Sequence, residues 1–437
     1  MIPRRLDCVA SPLMSATGTG TPSHGLSLEP FRGLRPRVGD DRLGRLLSPP
    51  YDVIDAATRR ALLDADPDNV VAVVLPDPTS EGYAAAASTL DRWVGDGLFA
   101  PDDEAALYVY EMREADGHAT RGLLGAVELR AAEDGVILPH ENTMAGPVTD
   151  RLEVMTATGT DLEAIYLVYD GGGPASELLR TVDDRAPVAA TTTADGIAHR
   201  LWAITDRDEI ETVGADLDTR RALIADGHHR YATYQERQRR RHTSDGPGPW
   251  DRGLALVVDS SQYGPRVHAI HRVVKALSLS DAVAKLGGWA DVRPATVAPA
   301  DELAELEKTT GFVAVLTDGR DTYVVSDGAG RLAQAARRPG EAAALAELDV
   351  TVVHRGLVDR VWQLPDDVDT VGYAHSVDEA VTDAAGMGGF ALLLRSTPVA
   401  AVAAVAAAGA RMPRKSTLFT PKPASGLVMR RLADQAS

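Results

Sequence analysis

The sequence predicts a mixed α/β (or α+β) protein built in two parts. Short apolar or alternating runs suited to strands recur among helical passages along the whole chain, and no repeat of about 20–50 residues is visible. With 437 residues there is length for two or three domains and a sizeable core.

Residues 1–26, rich in Ser, Thr, Gly and Pro and without periodicity, read as a disordered tail in which Met14 is a second candidate start. Asp7, Pro12 and the polar stretch from Thr17 interrupt any signal-peptide core. Pro30, Pro36, Pro49 and Pro50 punctuate the next segment, after which 56–65 reads as a helix and the apolar run 70–75 as a strand. A helix with Leu90, Trp93 and Val94 on one face precedes strands over 106–112 and 122–129. Polar and special residues concentrate between Ile137 and Thr160, directly before a strand over 164–169, so they are expected beside a sheet.

Helical 206–217 feeds the apolar strand 222–225, which stops at Asp226-Gly227. The following helix, about 14 residues long, ends in Arg239, Arg240 and Arg241, cations suited to a helix C-terminus. The loop 242–249 then marks the expected boundary between a first part, 27–245, and a second, 246–437. The second part shows strands over 254–259, 312–316 and 322–325, helices over 281–286 and 342–362, and a buried or half-buried alanine-rich helix over 398–410. That last run falls short of the about 20 residues needed to span a bilayer.

The formal net charge of −18 repels nucleic acid and anionic membranes, so neither is an expected partner, and an anionic ligand needs a local basic pocket. The single cysteine, Cys8, leaves no internal disulfide and no cysteine zinc site, and a reducing, cytoplasmic setting is expected.

Four clusters carry chemistry. Asp226-Gly227-His228-His229-Arg230 stands where a strand runs into a helix, an anion-binding position with free backbone N–H groups and a nearby Arg. Asp226 there either faces Mg²⁺ or merely caps the helix. His140-Glu141-Asn142, followed by Asp150-Arg151, offers Glu141 as the general base that deprotonates an alcohol during phosphoryl transfer. Arg414-Lys415-Ser416-Thr417 and Lys422 place two of only five lysines within eight residues, which suits an anion, although the glycines of a P-loop are missing. Pro49-Pro50-Tyr51-Asp52 holds Tyr51 and Asp52 on a stiffened turn. A smaller basic group, His268, His271 and Arg272, lies on an alternating segment whose polar face reads as solvated. No G-x-G-x-x-G, G-x-S-x-G or paired C-x-x-C is present, so dinucleotide chemistry and serine hydrolysis have no support.

The segments Pro30-Phe31-Arg32-Gly33-Leu34-Arg35, Pro49-Pro50-Tyr51-Asp52-Val53-Ile54, Pro139-His140-Glu141 with Asp150-Arg151, Asp226-Gly227-His228-His229-Arg230-Tyr231, and the stretch 412–426 together resemble the domain of unknown function 1015 family. The Asp-Gly-His-His-Arg motif also resembles the signature of the ParB/sulfiredoxin-like fold, which includes free L-serine kinases. This second resemblance implies a ParB/sulfiredoxin-like core and a Mg²⁺-dependent kinase that makes O-phosphoserine from L-serine with ATP or ADP. Glu141 then matches the base, and Asp226, His228, His229 and Arg230 the phosphate and metal region. Gly227, Arg230, His228 and Lys415 are expected to neutralise the transferring group, Asp226 to hold Mg²⁺, and Arg151 to take the acceptor's carboxylate. His140, Tyr51, Asp52, His229, Ser416, Thr417 and Lys422 complete the expected substrate and phosphate set. The regions of Glu141, Asp226 and Lys415 are expected to share one cleft. Two other readings use the same residues: a ParB-like nucleotide-binding regulatory protein, and a metal-dependent hydrolase with His140, His228, His229 and Asp226 as ligands.

Overall fold

The computed structural model describes residues 25–435. Cys8, Met14 and nearly all of the expected tail lie outside them. Gly25 and Leu26, counted with the tail above, are anchored: Leu26 is buried and its N–H donates to the Leu217 carbonyl at 3.0 Å. The chain forms two units. The first holds the described residues up to 139, Thr143–Pro265 and residues 421–435; the second holds His140–Asn142 and Arg266–Thr420.

The first unit is organised by a nine-stranded mixed sheet: β1 (Leu28–Glu29), β2 (Leu107–Arg113), β3 (Ala119–Glu128), β4 (Ile137–Leu138), β5 (Ile165–Tyr169), β6 (Ala189–Thr192), β7 (Ala198–Ile204), β8 (Ala222–Asp226) and β9 (Arg252–Asp259). Their spatial order is β4-β8-β5-β9-β3-β2-β7-β6, with β1 also on β3. The pairs β4/β8 and β5/β9 are parallel and the others antiparallel. Strand β9 thus fills the middle of the sheet, which moves the boundary from the expected 245/246 to 265/266. A loop rich in polar residues looked like a linker, but the strand beyond it is almost wholly buried between two partners.

Helices of this unit include α1 (Ser80–Gly95), α2 (Ala145–Thr158), α3 (Gly173–Thr181), α4 (Arg207–Leu217) and α5 (His228–Ser244). Thr79 caps α1 and Asp206 caps α4, each accepting a first-turn N–H. Leu90 and Trp93 of α1 pack with Val154 of α2 and with Val70, Val73 and Val74 in one core cluster. The run 70–75, expected as a strand, contains the short helix Val71–Val74. Asn69 explains the difference, since its Oδ1 accepts the Val71 N–H while its Nδ2 donates to the Arg45 and Leu47 carbonyls. The local bonds of Asn69 and burial override the β-propensity of four valines.

The second unit has a six-stranded antiparallel sheet of β10 (His271–Val274), β11 (Asp291–Pro294), β12 (Val313–Thr317), β13 (Thr322–Ser326), β14 (Val371–Ala374) and β15 (Phe390–Leu393) in the order β11-β13-β12-β15-β10-β14. Ala314 and Leu316 lie in one core cluster and Val313 and Val315 in another, so the two-residue alternation buries both faces. The helix expected over 342–362 becomes a short helix, Ala343–Ala346, a helical turn, Asp349–Thr351, and a π-helical stretch, Val352–Trp362. The alanine-rich run forms the helix Val399–Ala407, with Val402, Ala403, Val405 and Ala406 buried. No helix among the described residues is long and apolar enough to cross a membrane.

Candidate functional site

In the first unit, charge concentrates where β8 gives way to α5. Asp226 is the last strand residue, Gly227 takes φ 90° and ψ 29°, and α5 begins at His228 without a side-chain cap. Asp226 therefore does not cap the helix. Its Oδ1 accepts from Lys422 Nζ at 2.5 Å and its Oδ2 from Arg230 Nη2, while Arg230 Nη1 donates to the Ala164 carbonyl. Asp52 Oδ2 stands 3.7 Å from Lys422 Nζ.

Burial pushes the Asp226 carboxyl up, but the Lys422 ammonium and Arg230 guanidinium outweigh it and hold the group at about 2. Burial in turn lowers Lys422, and the Asp226 and Asp52 carboxylates more than reverse that. The result is a fixed arrangement in which two cations share one carboxylate. Lys422 was expected in the second part, but the chain returns residues 421–435 to the first unit.

Gly227 is required at its position. A Cβ there would sit 3.0 Å from Arg230 Nε, on a backbone in the left-handed region. Gly227→Ala is expected to lower stability by about 1–2 kcal/mol. A urea unfolding midpoint that falls with unchanged slope would show it.

The surrounding side chains are held by specific contacts. The Tyr51 N–H donates to Glu163 Oε1 at 3.0 Å, and the same oxygen accepts Ser425 Oγ at 2.9 Å. Burial pushes the Tyr51 phenol up to about 12 against the opposing Arg230 charge, so it stays protonated at neutral pH. The Arg151 guanidinium lies 4.1 Å from the Tyr51 ring centre and donates to Asp150 at 2.7 and 3.1 Å and to the Val74 carbonyl at 2.5 Å. These contacts engage the Arg151 guanidinium within the first unit. His228 is buried. The Met144 N–H donates to His229 Nε2 at 3.0 Å, which fixes that nitrogen as unprotonated.

The other expected residues belong to the second unit. His140 is buried, with Nε2 3.2 Å from Thr417 Oγ1 and its carbonyl accepting the Met412 N–H at 2.8 Å. Its neighbour Glu141 is half-buried. Ser416 donates its hydroxyl to the Pro413 carbonyl at 2.5 Å, while exposed Lys415 takes a φ of 54°, rare for a side chain other than glycine. Tyr51, Asp52, Arg151, Asp226, Gly227, His228, His229, Arg230 and Lys422 are in the first unit; His140, Glu141, Lys415, Ser416 and Thr417 are in the second.

Sequence reasoning passed over Glu163, which the structure makes the anchor of both Tyr51 and Ser425. Its signal was an isolated acid among Leu162, Ala164 and Ile165, since an acid buried beside a strand needs partners. Mg²⁺ does not fit Asp226 as a resident ion. Both carboxylate oxygens already serve cations, and among the described residues no three His, Cys, Asp or Glu side chains gather as metal ligands.

A search of the curated proteins found no match for this chain. Among solved structures it is similar to a conserved hypothetical protein from Pyrococcus furiosus, at 15% identity and TM-score 0.36 over 72% of this chain and 97% of that one. It is also similar to a free serine kinase in complex with AMP, at 15% identity and TM-score 0.37 over 72% and 93% of the two chains. A third is SbnI with C-terminal truncation from Staphylococcus aureus, at 10% identity and TM-score 0.36 over 72% and 90%. The family model described as protein of unknown function (DUF1015) matches residues 28–351, a span that takes in the whole nine-stranded sheet with Asp226 at its strand end and continues into the second unit; the chain belongs to the DUF1015 family.

Proposed function

We propose that this protein is a nucleotide-dependent phosphotransferase acting on the hydroxyl of a small metabolite, with free L-serine as the first acceptor and ATP or ADP as the donor. The observation that carries the reading is the start of α5. Its first-turn N–H groups have no side-chain cap and stand beside Lys422 and Arg230, two cations held in place by Asp226. Phosphoryl transfer needs positioning and neutralisation of charge more than covalent participation, and a helix N-terminus flanked by fixed cations supplies both. Lys422 and the α5 N-terminus take the phosphate oxygens in this reading, and Asp226 acts by holding Lys422 and Arg230. Mg²⁺ enters only with the nucleotide's phosphates. Glu141 takes the acceptor's proton. The ParB-like core and the cytoplasmic setting are part of the same proposal.

The test is to incubate the full chain with MgATP or MgADP and a pool of hydroxyl-bearing metabolites including L-serine, reading products by mass spectrometry. O-phosphoserine is the expected product. Glu141→Gln is expected to lower kcat by about 10²-fold or more with nucleotide affinity unchanged, as befits loss of a general base. A Glu141→Gln rate near wild type removes Glu141 from that role. Nucleotide bound without any phosphorylated product points instead to a nucleotide-binding regulatory protein.

A further inference from the structure

The second unit contains a buried charge that the phosphotransferase reading leaves unused. Arg272, on β10, is only 1% exposed. Its Nε donates to His354 Nε2 at 3.1 Å and its Nη1 to the Ile270 carbonyl at 2.5 Å, whereas Nη2 has no hydrogen-bond partner. Among the described residues it has no carboxylate in ion-pair contact. Of the three residues expected on a solvated face, His268 is exposed, whereas His271 and Arg272 are inside the unit, because β10 pairs with both β14 and β15 and all four of its residues are buried.

The surroundings fix the guanidinium without neutralising it. A guanidinium only donates, so His354 Nε2 accepts, and the ring proton is on Nδ1 facing Asp366 Oδ1 at 2.8 Å. His354 lies on the π-helical stretch, a local geometry often found at functional sites. The Tyr373 ring centre lies 5.0 Å from the guanidinium carbon. Burial pulls Arg272 down to about 10, with the charges of Tyr373, Asp366 and Glu141 opposing. A water molecule satisfies the Nη2 donors but leaves the buried charge unmatched; a bound oxyanion satisfies both.

We propose that Arg272 is a receptor for a carboxylate, and that the ligand is a small α-amino or α-hydroxy acid whose hydroxyl faces Glu141 of the same unit. Naming the ligand rests on the phosphotransferase reading; the receptor itself does not. Arg272 then takes the acceptor's carboxylate in place of Arg151, whose donors are engaged by Asp150 and Val74.

Calorimetric titration of the full chain with L-serine, glycerate, L-serinamide and inorganic phosphate, in the wild type, Arg272→Lys and Arg272→Gln, tests this. At least one of the two carboxylates is expected to bind, and L-serine about 30-fold or more tighter than L-serinamide, the worth of a charge-assisted contact. Arg272→Gln is expected to abolish that preference, and Arg272→Lys to retain only part of it because the planar fork is lost. The L-serine and L-serinamide pair in the wild type reads the same quantity even where a variant does not fold. Equal binding of serine and serinamide, no binding of either carboxylate, phosphate bound more tightly than both, or an undiminished preference in folded Arg272→Gln overturns the proposal. Phosphoryl transfer measured on the same samples separates the two readings. Carboxylate-dependent binding without transfer keeps the receptor and removes the kinase, while transfer to serinamide at the serine rate keeps the kinase and removes the receptor.

Discussion

Asp226→Ala is expected to destabilise the first unit by about 3–5 kcal/mol, the range for removing one partner of a buried ion pair. The carboxylate is the shared partner of Lys422 Nζ at 2.5 Å and of Arg230 Nη2, and all three side chains are largely or wholly buried. Its loss leaves two cations with poor solvation. Asp52, 3.7 Å from Lys422, offers a substitute for one of them, which places the expectation in the lower half of that range. Equilibrium denaturation measures the loss, and a cycle with Lys422→Met locates it. The double variant should lose clearly less than the sum of the singles, because each single strands the other's charge. A loss below about 1 kcal/mol would mean that the three groups behave as an exposed pair does.

The same network predicts the sign of an acid effect. Asp226 is held at about 2 in the folded protein against an ordinary 3.8, so its ionised form contributes stability that is complete above about 4 and is lost as pH falls through 2. Lys422, raised from 10.5, contributes stability that is complete below that value and is lost as pH rises through its folded value. Asp226→Asn should accordingly flatten the acid limb of the stability profile.

Local order was readable where periodicity and punctuation agreed. The apolar strand ending at Asp226-Gly227 and the basic helix after it are present as β8 and α5, because a short apolar run, a glycine and a charged amphipathic stretch each admit few conformations. The valines of Val71–Val74 read as a strand because propensity cannot register the three bonds that Asn69 makes around them. Long-range return was invisible. Nothing local tells that β9 fills the centre of a sheet begun over a hundred residues earlier, or that Lys422 comes back to Asp226 across 196 positions. The candidate site was legible as a set of residue types, since Asp226, Arg230 and Lys422 were each singled out. Their division of labour was not, because only the geometry reveals that Asp226 is occupied by two cations and that Arg272, which read as solvated, is buried.

Asp161→Asn is expected to destabilise the first unit by about 3–5 kcal/mol and to act on the site from a distance. Asp161 is fully buried, accepting from Arg237 Nη1 at 2.5 Å and from Arg430 Nη1 at 2.9 Å. Asparagine keeps the shape but removes the charge and turns an N–H toward a guanidinium. Arg430 also donates to the Pro249 carbonyl at 2.7 Å, and residues 430 and 431 pair antiparallel with 161 and 160. This clamp secures the far end of the segment that carries Lys422 and Ser425 to Asp226 and Glu163. Loosening it should therefore raise hydrogen exchange across residues 421–435 more than in β8, and weaken the phosphate binding proposed for Lys422 although neither Lys422 nor Asp226 has changed. Arg430→Ala, which leaves Arg237 still paired with Asp161, should produce the same exchange pattern at a smaller loss of stability. Uniform loss of protection across the first unit in both variants would instead make Asp161 part of the global core, with no selective hold on the segment that bears Lys422.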